Sequence, residues 1–237
     1  MKNYVILLAG GVGKRMGYDI PKQFIVVQNK PIIVHTIERF QNNDKIEGIV
    51  VVCVKDWEEH IKNLICEYSL TKVKWVIEGG DTGHDSIRNG VFFLRDKVNP
   101  KDYIIVHDAV RPILPQKAID EVIRVAHENG NASSSIACHP PIVYTEDGKS
   151  GIKDINREQV MLTASPQAYK YSLALECYEK AEIDNRHDFT FTSSLLIAYG
   201  KRVYFAKGTT SNIKVTQKED LALFEALLSI PEDLLYC

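Results

Sequence analysis

Three uninterrupted apolar runs constrain this chain most: Tyr4-Val5-Ile6-Leu7-Leu8, 48–54 (GIVVVCV) and 103–107 (YIIVH). A strand with one wet face alternates apolar and polar residues, so unbroken runs require cover on both faces. Segments of helical period separate them. Residues 31–41 form a helix opened by Pro31, and 57–69 and 84–97 follow as helices around a short strand at 73–77. A helix at 116–129 and a strand at 133–138 continue the rhythm. The pattern predicts an α/β fold, a doubly wound and mostly parallel sheet whose ligands bind at the carboxyl ends of the strands.

Residues 139–165 interrupt it. His139-Pro140-Pro141-Ile142-Val143-Tyr144-Thr145 reads as extended, Glu146-Asp147-Gly148-Lys149 as a turn, and 151–164 as extended again. This predicts a protruding hairpin arm at about 139–165. A helix at 168–181, a helix at 192–199, a strand at 202–206 and a closing helix at 217–228 then restore the winding. The length of 237 residues fits one domain, 1–237, that carries the arm.

The first strand runs into Ala9-Gly10-Gly11-Val12-Gly13-Lys14-Arg15-Met16-Gly17, followed by Pro21-Lys22-Gln23-Phe24. Glycines let backbone N–H groups approach phosphate, and fixed cations offset its charge. A Walker A loop is excluded, since its first glycine falls on Leu8 and its Ser/Thr on Arg15. A dinucleotide fingerprint fails at Met16, which makes a dehydrogenase a remote reading. Lys14, Arg15 and Lys22 together suit a nucleoside triphosphate.

The formal net charge of −2 argues against a nucleic-acid binder, because the positive charge is local to the loop. Five cysteines, odd in number and without CxxC spacing, read as reduced thiols of a cytoplasmic protein. The N-terminus enters a strand with no signal-peptide pattern, and no apolar run approaches the ~20 residues of a membrane span. The histidines show no zinc-binding spacing.

Four further segments lie at strand ends or loops. Glu78-Gly79-Gly80-Asp81-Thr82-Gly83-His84-Asp85-Ser86 offers a nucleobase backbone groups and a hydroxyl; a turn with a helix cap is the plainer reading. In Val106-His107-Asp108-Ala109-Val110-Arg111-Pro112, Asp108 suits a ribose hydroxyl or Mg²⁺ and Arg111 a phosphate. A local Asp108–Arg111 ion pair explains the same residues, and His107 reads as structural. Asn156-Arg157 lies in the arm, where an arginine is ordinarily a solvated charge. Thr210-Ser211-Asn212-Ile213-Lys214-Val215-Thr216 sets Lys214 among apolar residues before a helix, a poor place for a lysine without a polar ligand.

Taken in order, LAGGVGKRMG, PKQF, GGDxxxxS, HDAVRP, an arm with Thr and Arg, SPQ, and NIKVT followed by EDL resemble the cytidylyltransferases that make CDP-linked polyol phosphates. These include the methylerythritol-phosphate and ribitol-5-phosphate enzymes. The resemblance covers nearly the whole chain and implies a Rossmann-like nucleotidyltransferase that moves CMP from CTP to a polyol phosphate with release of pyrophosphate.

By position, the resemblance gives Ala9, Gly10, Gly11, Gly13, Gly80, Asp81 and Ser86 to cytosine and ribose. Arg15, Lys22 and Lys214 surround the triphosphate as the catalytic cations. Asp108 contacts the nucleotide sugar or Mg²⁺, and Arg111 the acceptor phosphate. Thr145 and Arg157 reach the acceptor site of a partner subunit through the arm, which implies a homodimer.

Gly83 for a usual Arg removes a cation beside the nucleotide; the other departures cluster at the acceptor side and dimer contacts: Tyr144 for Asp, Val160-Met161 for L-W, Ala164-Ser165 for Q-T, and Thr190-Phe191-Thr192 for the acidic T-D-[DE]. Asp56-Trp57 with His60 resembles the ribitol-phosphate branch, so D-ribitol 5-phosphate is the expected acceptor. 2-C-methyl-D-erythritol 4-phosphate and a non-catalytic nucleotide-binding paralogue are the alternatives.

Overall fold

The computed structural model describes residues 1–11, 17 and 20–236. Strand β1 (Asn3–Ala9) leads past a one-turn helix at Lys22–Phe24 to the short hairpin β2 (Val26–Val27) and β3 (Lys30–Pro31). Helix α1 (Ile32–Gln41), β4 (Ile46–Cys53), α2 (Glu58–Glu67), β5 (Val73–Glu78), α3 (Gly83–Phe93), β6 (Tyr103–Asp108), α4 (Gln116–Asn129) and β7 (Asn131–Ala137) follow. The arm is the hairpin β8 (Ile142–Tyr144) and β9 (Lys153–Ile155). The chain closes with β10 (Met161–Lys170), α5 (Tyr171–Ile183), α6 (Thr192–Ala198), β11 (Phe205–Lys207) and α7 (Lys218–Leu228).

Seven strands form one sheet in the order β11-β7-β10-β6-β1-β4-β5. β1 pairs in parallel with β4 and β6, and β10 runs antiparallel to both β6 and β7. Successive side chains of β1 serve opposite layers, as a period of two demands. Val5 and Leu7 pack with α1, α2 and α4, while Tyr4 and Ile6 pack with α3, α5 and α6. Both faces are dry, which is why the strands read as unbroken apolar runs. A third cluster, with Ile25, Val110, Val215 and Phe224, seats α7 and the segment before it against the strand ends. Gly130 ends α4 at φ +88°, a left-handed cap that glycine adopts without a Cβ clash.

Two expectations need correction. Residues 161–170 are a strand of the main sheet, so the helix expected at 168–181 begins at Tyr171 and the arm is confined to the residues before Met161. Pro166 hid this strand, because a residue without an N–H argues against a central position. Here Pro166 falls at a register shift: β10 pairs with β7 up to Ala164 and resumes at Gln167, leaving the proline off the ladder. The strand expected at 202–206 lies instead at Phe205–Lys207.

Candidate active site

The carboxyl ends of β1 and β6 open into a cleft of about 320 Å³. Ala9, Gly10 and Gly11 line one wall, Gly80, Asp81 and Ser86 a second, and Lys22, Asp108 and Lys214 the floor between them. Five separate sequence segments therefore meet at one place. Gly13 and Arg15 lie outside the described residues. Arg111 borders an adjoining recess of about 170 Å³ with Thr163 and Asn212.

Asp108 is the electrostatic centre. Its side chain is only 10% exposed, and its two oxygens accept from Arg111 Nε at 2.9 Å and Lys214 Nζ at 3.1 Å. Burial disfavours its charge, but the Lys214 and Arg111 cations outweigh that cost and hold its carboxyl below the usual range. The ion pair proposed as the plain reading thus exists, and it includes a third member from 106 residues away. His107 is fully buried; burial pushes its pKa down to about 4, so near neutrality it is uncharged. Its Nε2 meets Arg111 O at 3.1 Å, and its ring packs on Phe40. That is a structural role.

Lys22 is carried by the one-turn helix after Pro21 and is buried. Its Nζ donates to Val215 O at 3.0 Å. Gln23 donates from Nε2 to Ala9 O at 2.6 Å, tying this turn to the root of the glycine-rich loop. Phe24 stacks on Trp57 with ring centroids 4.6 Å apart, and His60 meets Phe24 edge-on. Trp57 and His60, noted in the sequence as a branch feature, thereby support the turn that presents Lys22.

The 79–86 turn owes its shape to a capping box. Thr82 caps α3, accepting from Asp85 N, while the Asp85 carboxylate accepts from Thr82 N. Ser86 Oγ accepts from Gly80 N at 3.1 Å, folding back on the turn. A Cβ on Gly80 would overlap that of Asp85, so this position requires glycine. Gly83 faces open space, where a side chain would meet nothing within 4 Å.

Thr145 and Arg157 do not line the cleft. Thr145 Oγ1 bonds Asp147 within the arm's turn, and Arg157 donates to His139 O at 2.6 Å from an exposed position. Sequence reasoning passed over Gln23, Ser165 and Asn212. All three lie inside the quoted PKQF, SPQ and NIKVT motifs, where the charged neighbours drew the chemical reading.

Asp108 and Asp81 are the carboxylates lining the cleft, and no group of three or more His, Cys, Asp or Glu comes together among the described residues. Mg²⁺ fits such a donor set, since it binds through one or two carboxylates and takes its other ligands from water and phosphate. The described cysteines 53, 66, 138 and 177 are free thiols. No helix among the described residues is long and apolar enough to cross a membrane.

Over nearly its whole length the chain resembles known proteins. A ribitol-5-phosphate cytidylyltransferase of Lacticaseibacillus paracasei is 42% identical over 225 residues, covering 94% of this chain and 96% of the relative. A 2-C-methyl-D-erythritol 4-phosphate cytidylyltransferase of Clostridium botulinum is 37% identical over 229 residues, covering 96% and 97%. The crystal structure of 4-diphosphocytidyl-2C-methyl-D-erythritol synthase from Anaerococcus prevotii superposes with a TM-score of 0.81 over 97% of this chain and 99% of that one; at 23% identity this speaks to the fold. Residues 3–230 match the family profile IspD, 2-C-methyl-D-erythritol 4-phosphate cytidylyltransferase. With the fold and almost the full length in agreement, the chain belongs to the IspD family of CTP-dependent cytidylyltransferases.

Proposed function

We propose that this protein transfers CMP from CTP to D-ribitol 5-phosphate, giving CDP-ribitol and pyrophosphate. The observation that carries the reading is the convergence of Lys22, Asp108 and Lys214 on the cleft that Gly10 and Gly11 line. The ribitol 5-phosphate assignment is supported by the 42% and 35% identical relatives that bear that name. The methylerythritol-phosphate acceptor is the second reading, favoured by the 37% identical relative.

Ala9, Gly10, Gly11, Gly13, Gly80, Asp81 and Ser86 hold the nucleoside. A phosphate oxygen of the acceptor attacks the α-phosphorus in line. The bond from that phosphorus to the bridging oxygen breaks, and pyrophosphate leaves with the electron pair. A phosphate monoester is nucleophilic near neutral pH, so the site needs no strong base, and neutral, buried His107 is not one. The work falls to positioning and to stabilising the developing charge, through Lys22, Lys214 and Arg15. Mg²⁺ held by Asp108 would neutralise triphosphate charge. Arg111, beside Asp108, receives the acceptor phosphate.

Thr145 and Arg157 act in the neighbouring subunit of a homodimer. The arm supports this: Val143, Tyr144 and Ile152 are each about half exposed, an apolar surface without cover in one chain. A groove of about 700 Å³ between β11 and α7, bordered by His139 and Met161 at the arm's root, is the surface we assign to it on a second copy. Charged small substrates and free thiols support a cytoplasmic location.

Pyrophosphate release from CTP and Mg²⁺ should be measured with D-ribitol 5-phosphate and 2-C-methyl-D-erythritol 4-phosphate side by side. The reading expects the higher kcat/KM with ribitol 5-phosphate. A preference for methylerythritol phosphate would install the second reading, and CTP binding without release for either would indicate a non-catalytic paralogue.

A further inference from the structure

Residues 212–215 form no helix or strand, yet they hold every described cation of the cleft and its adjoining recess. Asn212 O accepts from Arg111 Nη1 at 2.8 Å, Lys214 Nζ meets Asp108 Oδ1 at 3.1 Å, and Val215 O accepts from Lys22 Nζ at 3.0 Å. An irregular segment with this task must be fixed at both ends. Val215 N donates to Val110 O at 2.9 Å at one end. At the other, the Asn212 side chain donates from Nδ2 to Ser165 O at 2.6 Å.

That bond closes a ring. Asp108 N donates to Ser165 Oγ at 3.2 Å, Arg111 Nε donates to Asp108 Oδ2 at 2.9 Å, and Asn212 joins Arg111 to Ser165. Asn212 is buried, and its Oδ1 has no hydrogen-bond partner among the described residues. Turning the amide over would set Oδ1 against Ser165 O and orphan the donors instead. A buried polar atom left unpaired calls for an explanation, and a site where geometry takes precedence over stability supplies one.

We infer that Asn212 is a positioning residue that sets the Arg111 guanidinium for the acceptor phosphate by anchoring it to Ser165. The inference rests on the proposed transfer to a polyol phosphate, and it concerns how Arg111 is aimed. Asn212 acts through Arg111, so removing its side chain affects the acceptor and spares CTP. The required accuracy is high, since displacement by ~1 Å costs about 10²-fold in rate.

The test uses the full chain with Asn212→Ala and Asn212→Ser, each alone and combined with Arg111→Lys, in pyrophosphate release with ribitol 5-phosphate. The expected result is a fall of about 10²-fold in kcat/KM for the acceptor with KM for CTP little changed. In the Arg111→Lys background the Asn212 changes should add little further loss, because the two groups act as a unit. Wild-type kinetics in both single variants, full additivity, or melting of both variants far below wild type would each overturn the inference. Absence of turnover in the wild type would instead overturn the proposed function. Broadening of the ³¹P resonance of inorganic phosphate would then decide the inference: Asn212→Ala should weaken binding as Arg111→Lys does, and undiminished binding would contradict it.

Discussion

The cleft and the arm carry the same kinds of side chain in opposite settings. In the cleft, Asp108, Arg111, Lys214 and Lys22 are held by partners from distant parts of the chain, and Asp108 is nearly sealed from water. In the arm, Thr145 and Arg157 bond only within the excursion and its root, and both are exposed. A charge fixed by buried partners is already oriented for a ligand. An exposed arginine on a two-stranded hairpin gains orientation only from a second surface, because such a hairpin is marginal by itself. The difference fits the proposed division of labour, in which one chain's cleft takes the nucleotide and a second chain's arm serves the acceptor.

The largest effect that would break this contrast is on the cleft side. Lys22→Ala should lower turnover by ~10²–10³, the scale of a lost electrostatic donor, with the melting temperature showing that the chain still folds. Near-wild-type pyrophosphate release would remove Lys22 from the mechanism. On the arm side, Arg157→Ala should lower kcat/KM for the acceptor by about 10- to 100-fold with KM for CTP unchanged, the scale of a lost charged hydrogen bond. Mixing the Lys22→Ala and Arg157→Ala proteins should then raise activity above that of either alone, the result expected when one subunit supplies the cleft and the other the arm. No recovery after subunit exchange would place Arg157 in its own chain's site.

A pH series probes the cleft side through two neighbouring groups at the end of β6. His107 is neutral in the fold, with a pKa pushed down to about 4, whereas an unfolded histidine titrates near ~6.5. The unfolded chain therefore takes up a proton first, and stability is lost as pH falls from about 6.5 to about 4, by roughly 3 kcal/mol. Asp108 has its carboxyl lowered, so its contribution is present above the unfolded value of ~3.9 and disappears only below it. Urea midpoints should show this loss in the wild type and a smaller one in His107→Asn, where His35, His84 and His127, also pushed down by burial, remain. A loss undiminished in the variant would assign it to another group. The smallest effect on the single chain is at Ile152: Ile152→Glu should shift sedimentation from dimer toward monomer while altering monomer stability by about 0.5 kcal/mol or less. An unchanged dimer would move the interface elsewhere.

The sheet was legible in the sequence because its central strands are apolar on both faces, a pattern that few other structures require. β10 was not, since Pro166 breaks the signal inside a strand that the ladder accommodates by skipping Ser165 and Pro166. The charged members of the cleft were legible from residue type at strand ends. Their mutual arrangement was not: nothing local to HDAVRP announces that Lys214 completes the Asp108 pair, or that Asn212 and Ser165 close the ring behind it. Such links depend on tertiary neighbours. For the same reason Trp57 and His60 could be noted in the sequence, but their support of Phe24 beside Lys22 appears only in the fold.

The central claim is transfer of a cytidylyl group, and ³¹P NMR of CTP, Mg²⁺ and D-ribitol 5-phosphate with the intact protein tests it most directly. The claim predicts that the three CTP resonances give way to free pyrophosphate and a diphosphate diester that retains the ribitol phosphorus. Unchanged CTP, or its conversion to CDP and orthophosphate with the ribitol phosphate untouched, would contradict it.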